Sequence, residues 1–289
     1  MPKPRNKHSK PSNPVMTIMK TRKSLLNHLA LVSLIALASG ASSAQAQTFT
    51  LLDDFESYTT GSTSSSDAFV AQDGPWTGWA GGDPTGSSLI TVDESGGNKF
   101  LQYGWQGGQR GAYRSLTAPI SNTASGTYYF QIWSSNDSGN ASYGLSDSSS
   151  PNSGFDSFNV QISFVGLGSS LKLVGRDGAS DVDLATGLSE DTWYDIWLDV
   201  DNVNDTFDVY YGTTGDPGTM GTLVGSDLAF RSSTTNSLVT FAALDDGSNG
   251  SNTQEQLDNI YYNVVPEPSA FALLAGCFGM TWIMLRRRC

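Results

Sequence analysis

The fold class is decided by two neighbouring segments, TWYDIWLDVD (192–201) and FDVYY (207–211). Apolar or aromatic side chains recur at every second position of both segments, which is the pattern of β-strands that bury one face. The Asn and Asp residues between the two segments favour a turn. The pair therefore predicts an antiparallel β-hairpin.

The same alternation recurs along residues 47–264. It is clearest at 128–133, 158–164, 171–173, 238–243 and 257–264. Clusters of Gly, Ser, Asn and Asp separate these segments, and no helical periodicity is sustained between them. Because a strand with one apolar face must bury that face against another sheet, we expect an all-β, antiparallel two-sheet sandwich in one domain, 47–264.

Charge and residue usage exclude several classes of function. Residues 47–264 hold 6 Lys or Arg against 27 Asp or Glu, a net charge of −21, which excludes a nucleic-acid partner. Both His residues lie before this domain, and both Cys residues lie after it. The domain therefore has no Ser-His-Asp triad, no Cys nucleophile and no His/Cys zinc site.

Residues 1–46 have the features of a secretory signal peptide. Basic residues at 20–23 precede an apolar segment at 25–38, for which we expect a helix, and Ala44 and Ala46 mark an A-x-A cleavage site. The apolar segment is too short to span a bilayer comfortably. We expect export across the inner membrane and cleavage by signal peptidase.

The C-terminal residues 265–289 combine three elements. They are, in chain order, Pro266-Glu267-Pro268, an apolar segment at 270–285, and Arg286-Arg287-Arg288. The prolines keep the junction extended, the apolar segment predicts a transmembrane helix, and the arginines predict a cytoplasmic end that stops transfer. The arrangement closely resembles a PEP-CTERM sorting signal. That resemblance implies recognition of the Pro-Glu-Pro motif by an exosortase of a Gram-negative, exopolysaccharide-producing bacterium.

A second resemblance concerns the domain between these signals. The hairpin at 192–211 is similar to one found in concanavalin A-like lectin/glucanase and laminin-G-like jelly rolls. DDFESY (53–58) and LDNIY (257–261) are similar to the first and last strands of such sandwiches. The resemblance implies a jelly-roll sandwich and leaves the activity open, because jelly rolls host many functions.

Two classes of polysaccharide-degrading enzyme fit parts of the sequence. Asp195, Asp199 and Asp201 share one strand face, and alternate residues lie about 6.5–7 Å apart along a strand, which suits the paired carboxyls of a glycoside hydrolase. Laminarinase-like glucanases carry the motif E-x-D-x-x-E, which is absent here. The alternative to an active site is that these carboxylates belong to a solvated hairpin end. Jelly-roll alginate lyases use a Q-I/V-H motif, whose nearest match, Gln161-Ile162-Ser163, lacks the His.

Calcium is the cofactor that this composition favours, as a structural ion bound by oxygen atoms. First and last strands of sandwiches often lie side by side, so one predicted site comprises Asp53, Asp54, Asp258 and Asn259. The turn at 245–249 is a second candidate. Ordinary Asx turns explain the same residues, and both alternatives stay open.

Aromatic rings are the candidate carbohydrate-binding groups. Trp105, Trp193 and Trp197 could offer flat platforms for sugar rings, although core packing explains a Trp equally well. The favoured interpretation is a non-catalytic protein of the cell surface or extracellular matrix that associates with exopolysaccharide and is anchored, transiently or stably, by its C-terminus. The alternative is a carboxylate-dependent glycoside hydrolase.

Overall fold

The computed structural model describes residues 48–58, 60, 75–81, 90–104, 109–135, 140–151, 154–166, 170–245 and 254–265. These residues belong to the compact unit Gln47–Cys289. Several predicted features lie outside the described residues: both terminal helices, Ala44, Ala46, Trp105, Pro266-Glu267-Pro268 and Arg286-Arg287-Arg288. No helix within the described ranges is long and apolar enough to cross a membrane.

Strands dominate the described part of the chain. They are β1 (Thr50–Asp53), β2 (Trp76–Gly81), β3 (Ile90–Ser95), β4 (Asn98–Gly104), β5 (Gln109–Ile120), β6 (Ser125–Ser134), β7 (Asn140–Ser146), β8 (Val160–Gly166), β9 (Leu171–Asp177), β10 (Ser180–Leu188), β11 (Tyr194–Asp201), β12 (Thr206–Gly212), β13 (Thr222–Ala229), β14 (Leu238–Asp245) and β15 (Gln254–Val265). One turn of 3-10 helix, Gly154–Ser157, precedes β8.

The strands form two antiparallel sheets. Sheet A has eight strands in the order β13-β12-β11-β6-β15-β4-β3, with β1 also paired to β15. Sheet B has seven strands in the order β10-β9-β8-β7-β14-β5-β2. The predicted all-β jelly-roll sandwich is confirmed.

The hairpin that predicted the fold is formed by β11 and β12. Their register runs from Asp195 opposite Gly212 to Asp201 opposite Thr206. The aliphatic residues Ile196 and Leu198 are buried in the core, while the alternate positions lie on the outer face of sheet A.

The core fills the space between the inner faces of the sheets. Aromatic rings join the two layers: Phe130 of β6 meets Phe241 of β14 edge-on, with ring centroids 5.2 Å apart. Tyr143 of β7 lies 5.8 Å from the same Phe130 ring. Burying such rings removes a large apolar area from water, which is the main stabilising term for a chain whose predicted domain lacks Cys.

A buried ion pair joins Asp53, the last residue of β1, to Arg114 of β5. The Asp53 carboxylate accepts hydrogen bonds from Arg114, from the Trp76 indole at 2.8 Å and from the Tyr58 hydroxyl at 2.9 Å. Burial and the neighbouring Asp53 raise the pKa of the Tyr58 hydroxyl well above its usual value. Because Asp53 and Arg114 are both buried, each needs the other to offset the loss of hydration.

Candidate functional site

A groove lies on the outer face of sheet B. It encloses about 360 Å³. Seven polar or charged residues line much of it: Asn140, Gln161, Ser163, Lys172, Arg176, Asp181 and Arg231. We call it the cationic groove, because three of the six Lys and Arg residues of segment 47–264 lie there.

Strand alternation places these side chains. In β9, Leu171 and Leu173 enter the core, so Lys172 and Arg176 lie on the opposite face. In the neighbouring β8, the same alternation puts Gln161 and Ser163 on that face. Arg231 follows β13, and its backbone N–H donates to the Asn159 carbonyl at 2.8 Å, which holds it beside β8.

A chain of hydrogen bonds orders the floor of the groove. Arg231 Nη1 donates to Gln161 Oε1 at 3.0 Å, and Gln161 Nε2 donates to Ser142 Oγ at 3.0 Å. The Ser142 and Ser163 hydroxyls lie 2.6 Å apart. Because Gln161 is nearly fully buried, this chain fixes the amide and the guanidinium that it meets.

Exposed carboxylates form one rim of the groove. Arg176 pairs with Asp181 at 2.6 Å, Lys172 with Asp183 at 2.7 Å, and Arg231 with Asp156. The acidic side chains are 54–79% exposed, whereas the three cationic side chains are only 18–21% exposed. The cations are therefore fixed in the groove, and their partners are in water.

The outer face of sheet A treats its charges differently. Asp195 is buried and accepts hydrogen bonds from Tyr129 Oη at 2.8 Å, Gln131 Nε2 at 2.9 Å and the Gly215 backbone N–H at 2.7 Å. Burial, with Asp195 as hydrogen-bond acceptor, raises the pKa of the Tyr129 hydroxyl. This carboxylate is a structural group that ties the loop after β12 to the sheet.

Asp199 and Asp201, whose spacing could suit a glycoside hydrolase, lie at the end of the same face. Asp201 Oδ1 accepts the Val203 backbone N–H at 2.9 Å, so this carboxylate stabilises the turn between β11 and β12. Asp199 lies directly opposite Asp208, and both line a hollow of about 260 Å³. Burial raises the pKa of Asp199, the hydrogen bond from Thr127 lowers it, and the charge of Asp208 raises it further.

The three tryptophans predicted to bind sugar have different surroundings. Trp197 is 0% exposed, its indole N–H donates to the Pro217 carbonyl at 2.9 Å, and its ring contacts Tyr129. Trp193 is half-buried and meets Phe100 edge-on at 6.0 Å. Trp105 lies outside the described residues. The structure thus places Trp197 under the loop that follows β12, where neither ring face meets water.

The predicted calcium ligands also divide. Strands β1 and β15 do pair, but the Asp53 carboxylate is turned inward to Arg114. Asp258 accepts hydrogen bonds from the Asn98 side chain at 2.9 Å and the Asn259 backbone N–H at 2.7 Å. Burial raises the pKa of Asp258, and the charge of the nearby Asp54 raises it further. No group of three or more His, Cys, Asp or Glu suited to a metal occurs in the described ranges, and calcium stays a prediction.

Two buried acids on β15 have strongly altered proton affinities. Burial raises the pKa of Asp258 to about 7, against the opposing effect of its hydrogen bonds from Asn98 and Asn259. Burial also raises the pKa of Glu255 well above its usual value, and the charge of Asp245 adds to this. Glu255 Oε1 accepts the Ser134 hydroxyl at 2.9 Å. Both carboxyls thus favour their neutral forms in the folded protein more than in water.

The comparisons with known proteins bear on the fold. No protein-family model and no curated protein matches the chain. A sialidase is similar over 77% of this chain, at 10% identity and a TM-score of 0.50, and the chain spans only 19% of that protein. The catalytic domain of a glycoside hydrolase family 131 protein from Coprinopsis cinerea is similar over 74% of this chain and 93% of its own, at 16% identity and a TM-score of 0.49.

A lectin has a weaker likeness of the same kind. Lectin II from Ulex europaeus is similar over 66% of this chain and 93% of its own, at 12% identity and a TM-score of 0.45. At such low identities a shared structure shows the fold alone, because jelly rolls host many unrelated functions.

Proposed function

We propose that this protein is a non-catalytic polysaccharide-binding protein of the bacterial cell surface or extracellular matrix. The observation that carries the proposal is the cationic groove, a hollow of about 360 Å³ on the outer face of a rigid sheet. Its hydroxyl, amide and cationic groups offer hydrogen bonds of the kind that sugar hydroxyls and ring substituents make. Because a sheet holds these groups in fixed positions, binding costs little conformational entropy.

Binding is tested by affinity electrophoresis of the full-length protein in a non-ionic detergent. Native gels would contain alginate, polygalacturonate, a β-glucan or a galactan, with calcium present. We expect retardation in at least one of these polymers. Free migration through every gel would contradict the proposal.

The location is tested by filling the groove. Ser163→Tyr would put a ring into the space beside Gln161 and Lys172, and we expect retardation to be lost. Ser125→Tyr is the matched control, because Ser125 lines the hollow on sheet A. Circular dichroism would verify that both variants fold, and equal retardation of the two would contradict the assigned location.

Export and sorting follow from the two terminal signals. Residues 1–46 would be removed by signal peptidase, and an exosortase would recognise Pro266, Glu267 and Pro268 while the segment at 270–285 lies in the membrane. Co-expression with an exosortase, followed by mass spectrometry of the product, should reveal a shortened C-terminus. Glu267→Ala should leave the C-terminus intact, and processing of this variant like the wild type would contradict the proposed recognition.

A glycoside hydrolase remains the second candidate because of one feature, the raised pKa of Asp199 opposite Asp208 in an open hollow. A carboxyl with a raised pKa near a second carboxyl is the arrangement that general acid catalysis of glycoside hydrolysis uses. Release of reducing ends from a polysaccharide by the wild type, and its loss in Asp199→Asn, would support this function. Inactivity over the same polymers would exclude it.

A further inference from the structure

The charge of the groove narrows the class of ligand. Segment 47–264 has a net charge of −21, yet half of its Lys and Arg residues line this one groove. Of the remaining three, Arg114 is buried against Asp53, Lys99 donates to the carbonyls of Glu56 and Tyr58, and Arg110 lies on β5. Lys172, Arg176 and Arg231 therefore stand out as a cluster against an otherwise acidic domain.

We infer that the groove binds an anionic polysaccharide, one whose repeating units carry carboxylate or sulfate groups. This inference rests on the proposed function and specifies its substrate class. Three cations in one groove of so acidic a domain favour an anionic ligand over a neutral one, because opposite charges attract at close range. Charge-assisted hydrogen bonds to carboxylate or sulfate are also stronger than bonds between neutral groups.

Each cation keeps N–H donors for such a ligand. Arg176 uses one N–H of each nitrogen, for Gly178, Asp181 and Ala179, which leaves two of its five donors. Arg231 uses Nη1 for Gln161 and Nη2 for Asp156, and a guanidinium has five N–H donors. Lys172 makes one bond, to Asp183, and an ammonium has three donors. Anionic groups of a ligand can therefore be bound without breaking the chain of hydrogen bonds on the floor.

The rim acids are exchangeable partners rather than competitors that close the site. Asp156, Asp181 and Asp183 are 79%, 67% and 54% exposed, so each is mostly hydrated in the ion pair. Exposed ion pairs contribute little to stability, and such a carboxylate can return to water when a ligand anion takes its place. In the absence of ligand, these acids hold the cationic side chains in position.

The spacing suits a linear polymer. Lys172 and Arg176 lie on the same face of β9, four residues and so about 13 Å apart along the strand. Arg231, which follows β13, lies beside β8, where it bonds to Asn159 and Gln161. A chain with an anionic group on every unit can contact more than one of these cations at once.

The test compares each acidic polymer with its neutralised form. The full-length protein in non-ionic detergent would be measured against alginate and carboxyl-reduced alginate, and against chondroitin sulfate and its desulfated, carboxyl-reduced form. We expect binding to at least one acidic polymer and at least tenfold weaker binding to its neutral form. Binding to alginate, whose only anionic groups are carboxylates, would show that carboxylate is sufficient, whereas binding to chondroitin sulfate and not to alginate would indicate that sulfate is required.

Variants locate the effect. Lys172→Gln and Arg231→Gln should each weaken binding to the acidic polymer about tenfold, which is the order expected for loss of one charge-assisted contact. Lys99→Gln removes the same charge outside the groove and should bind like the wild type. Lys172→Arg keeps the charge at an exposed pair and should bind within about threefold of the wild type, which guards against a folding artefact.

The outcomes separate the two proposals. Equal binding to an acidic polymer and to its neutral form would overturn the anionic specificity and leave polysaccharide binding intact. Failure to bind any of these polymers or the β-glucan and galactan would overturn the proposed function itself. Wild-type binding by Lys172→Gln and Arg231→Gln, with a loss in Lys99→Gln, would overturn the assigned site.

Discussion

The outer faces of the two sheets contain charged groups in opposite roles. On sheet A, Asp195 and Asp258 are buried, and donors of the protein itself occupy their oxygens. On sheet B, Lys172 and Arg231 lie in a groove, and their acidic partners are exposed. A charged group whose partners are buried donors therefore serves the fold, whereas a charged group whose partner is hydrated stays available to a ligand.

The largest effect on stability should come from sheet A. Asp195→Ala would leave Tyr129, Gln131 and the Gly215 N–H without their acceptor, and we expect the free energy of unfolding to fall by about 2–4 kcal/mol. Asp181→Ala, which removes an exposed acid on sheet B, should change it by less than about 0.5 kcal/mol. Urea denaturation of both variants measures the difference. Equal losses in the free energy of unfolding would contradict the distinction between the two acids.

The pH dependence of stability should also arise on sheet A. Because the pKa of Asp258 is raised to about 7 in the folded state, the folded protein holds a proton between pH 4 and 7 that the unfolded chain has lost. The stabilisation is fully present below pH 4 and is lost as the pH rises through 7, at a cost of about 2–4 kcal/mol. Urea denaturation from pH 4 to 8 should show this fall, and Asp258→Asn should show a smaller one. Identical pH profiles for the two proteins would contradict the role of Asp258.

A Trp197 variant distinguishes a structural role of this ring from a sugar-binding role. Trp197→Phe would remove the hydrogen bond to the Pro217 carbonyl and part of a buried ring, and we expect a loss of about 1–2 kcal/mol in thermal or urea unfolding. Binding to polysaccharide should remain at the wild-type level once the variant is shown to be folded. A folded variant that no longer binds would move the glycan site to sheet A.

The smallest effect on stability should come from the groove. Lys172→Gln removes one partly exposed ion pair, and we expect the free energy of unfolding to change by less than about 0.5 kcal/mol. The same variant should lose affinity for an acidic polymer about tenfold, because it removes one charge-assisted contact. Parallel urea denaturation and affinity electrophoresis measure the two quantities, and a large loss of stability would show that Lys172 serves the fold.

The sequence was a good guide to the fold because the core obeys a local rule. Alternation at 192–201 assigned Ile196 and Leu198 to the buried face, and the structure places both there. Alternation also assigned Trp197 to the outer face, correctly. It could not show that the loop after β12 would cover this ring, because loop placement depends on contacts such as that of Pro217 with the indole.

The cationic groove escaped prediction for a related reason. Arg231 is 55 residues beyond Arg176 in the sequence, and only the pairing of β8 with β9 and the backbone bond to Asn159 bring the two to one surface. A local signal did exist in β9, where Lys172 and Arg176 share one face of a strand in a domain with few basic residues. In the sequence, Gln161 and Ser163 stand out only as a partial match to a catalytic motif whose His is absent.

The most direct test of anionic polysaccharide binding in the cationic groove is a crystal structure of the protein with an acidic oligosaccharide. We predict that the oligosaccharide lies along β9, with anionic groups within hydrogen-bond distance of Lys172 and Arg231. An oligosaccharide bound instead on sheet A, over the half-buried Trp193, would contradict the claim that the groove of sheet B is the binding site.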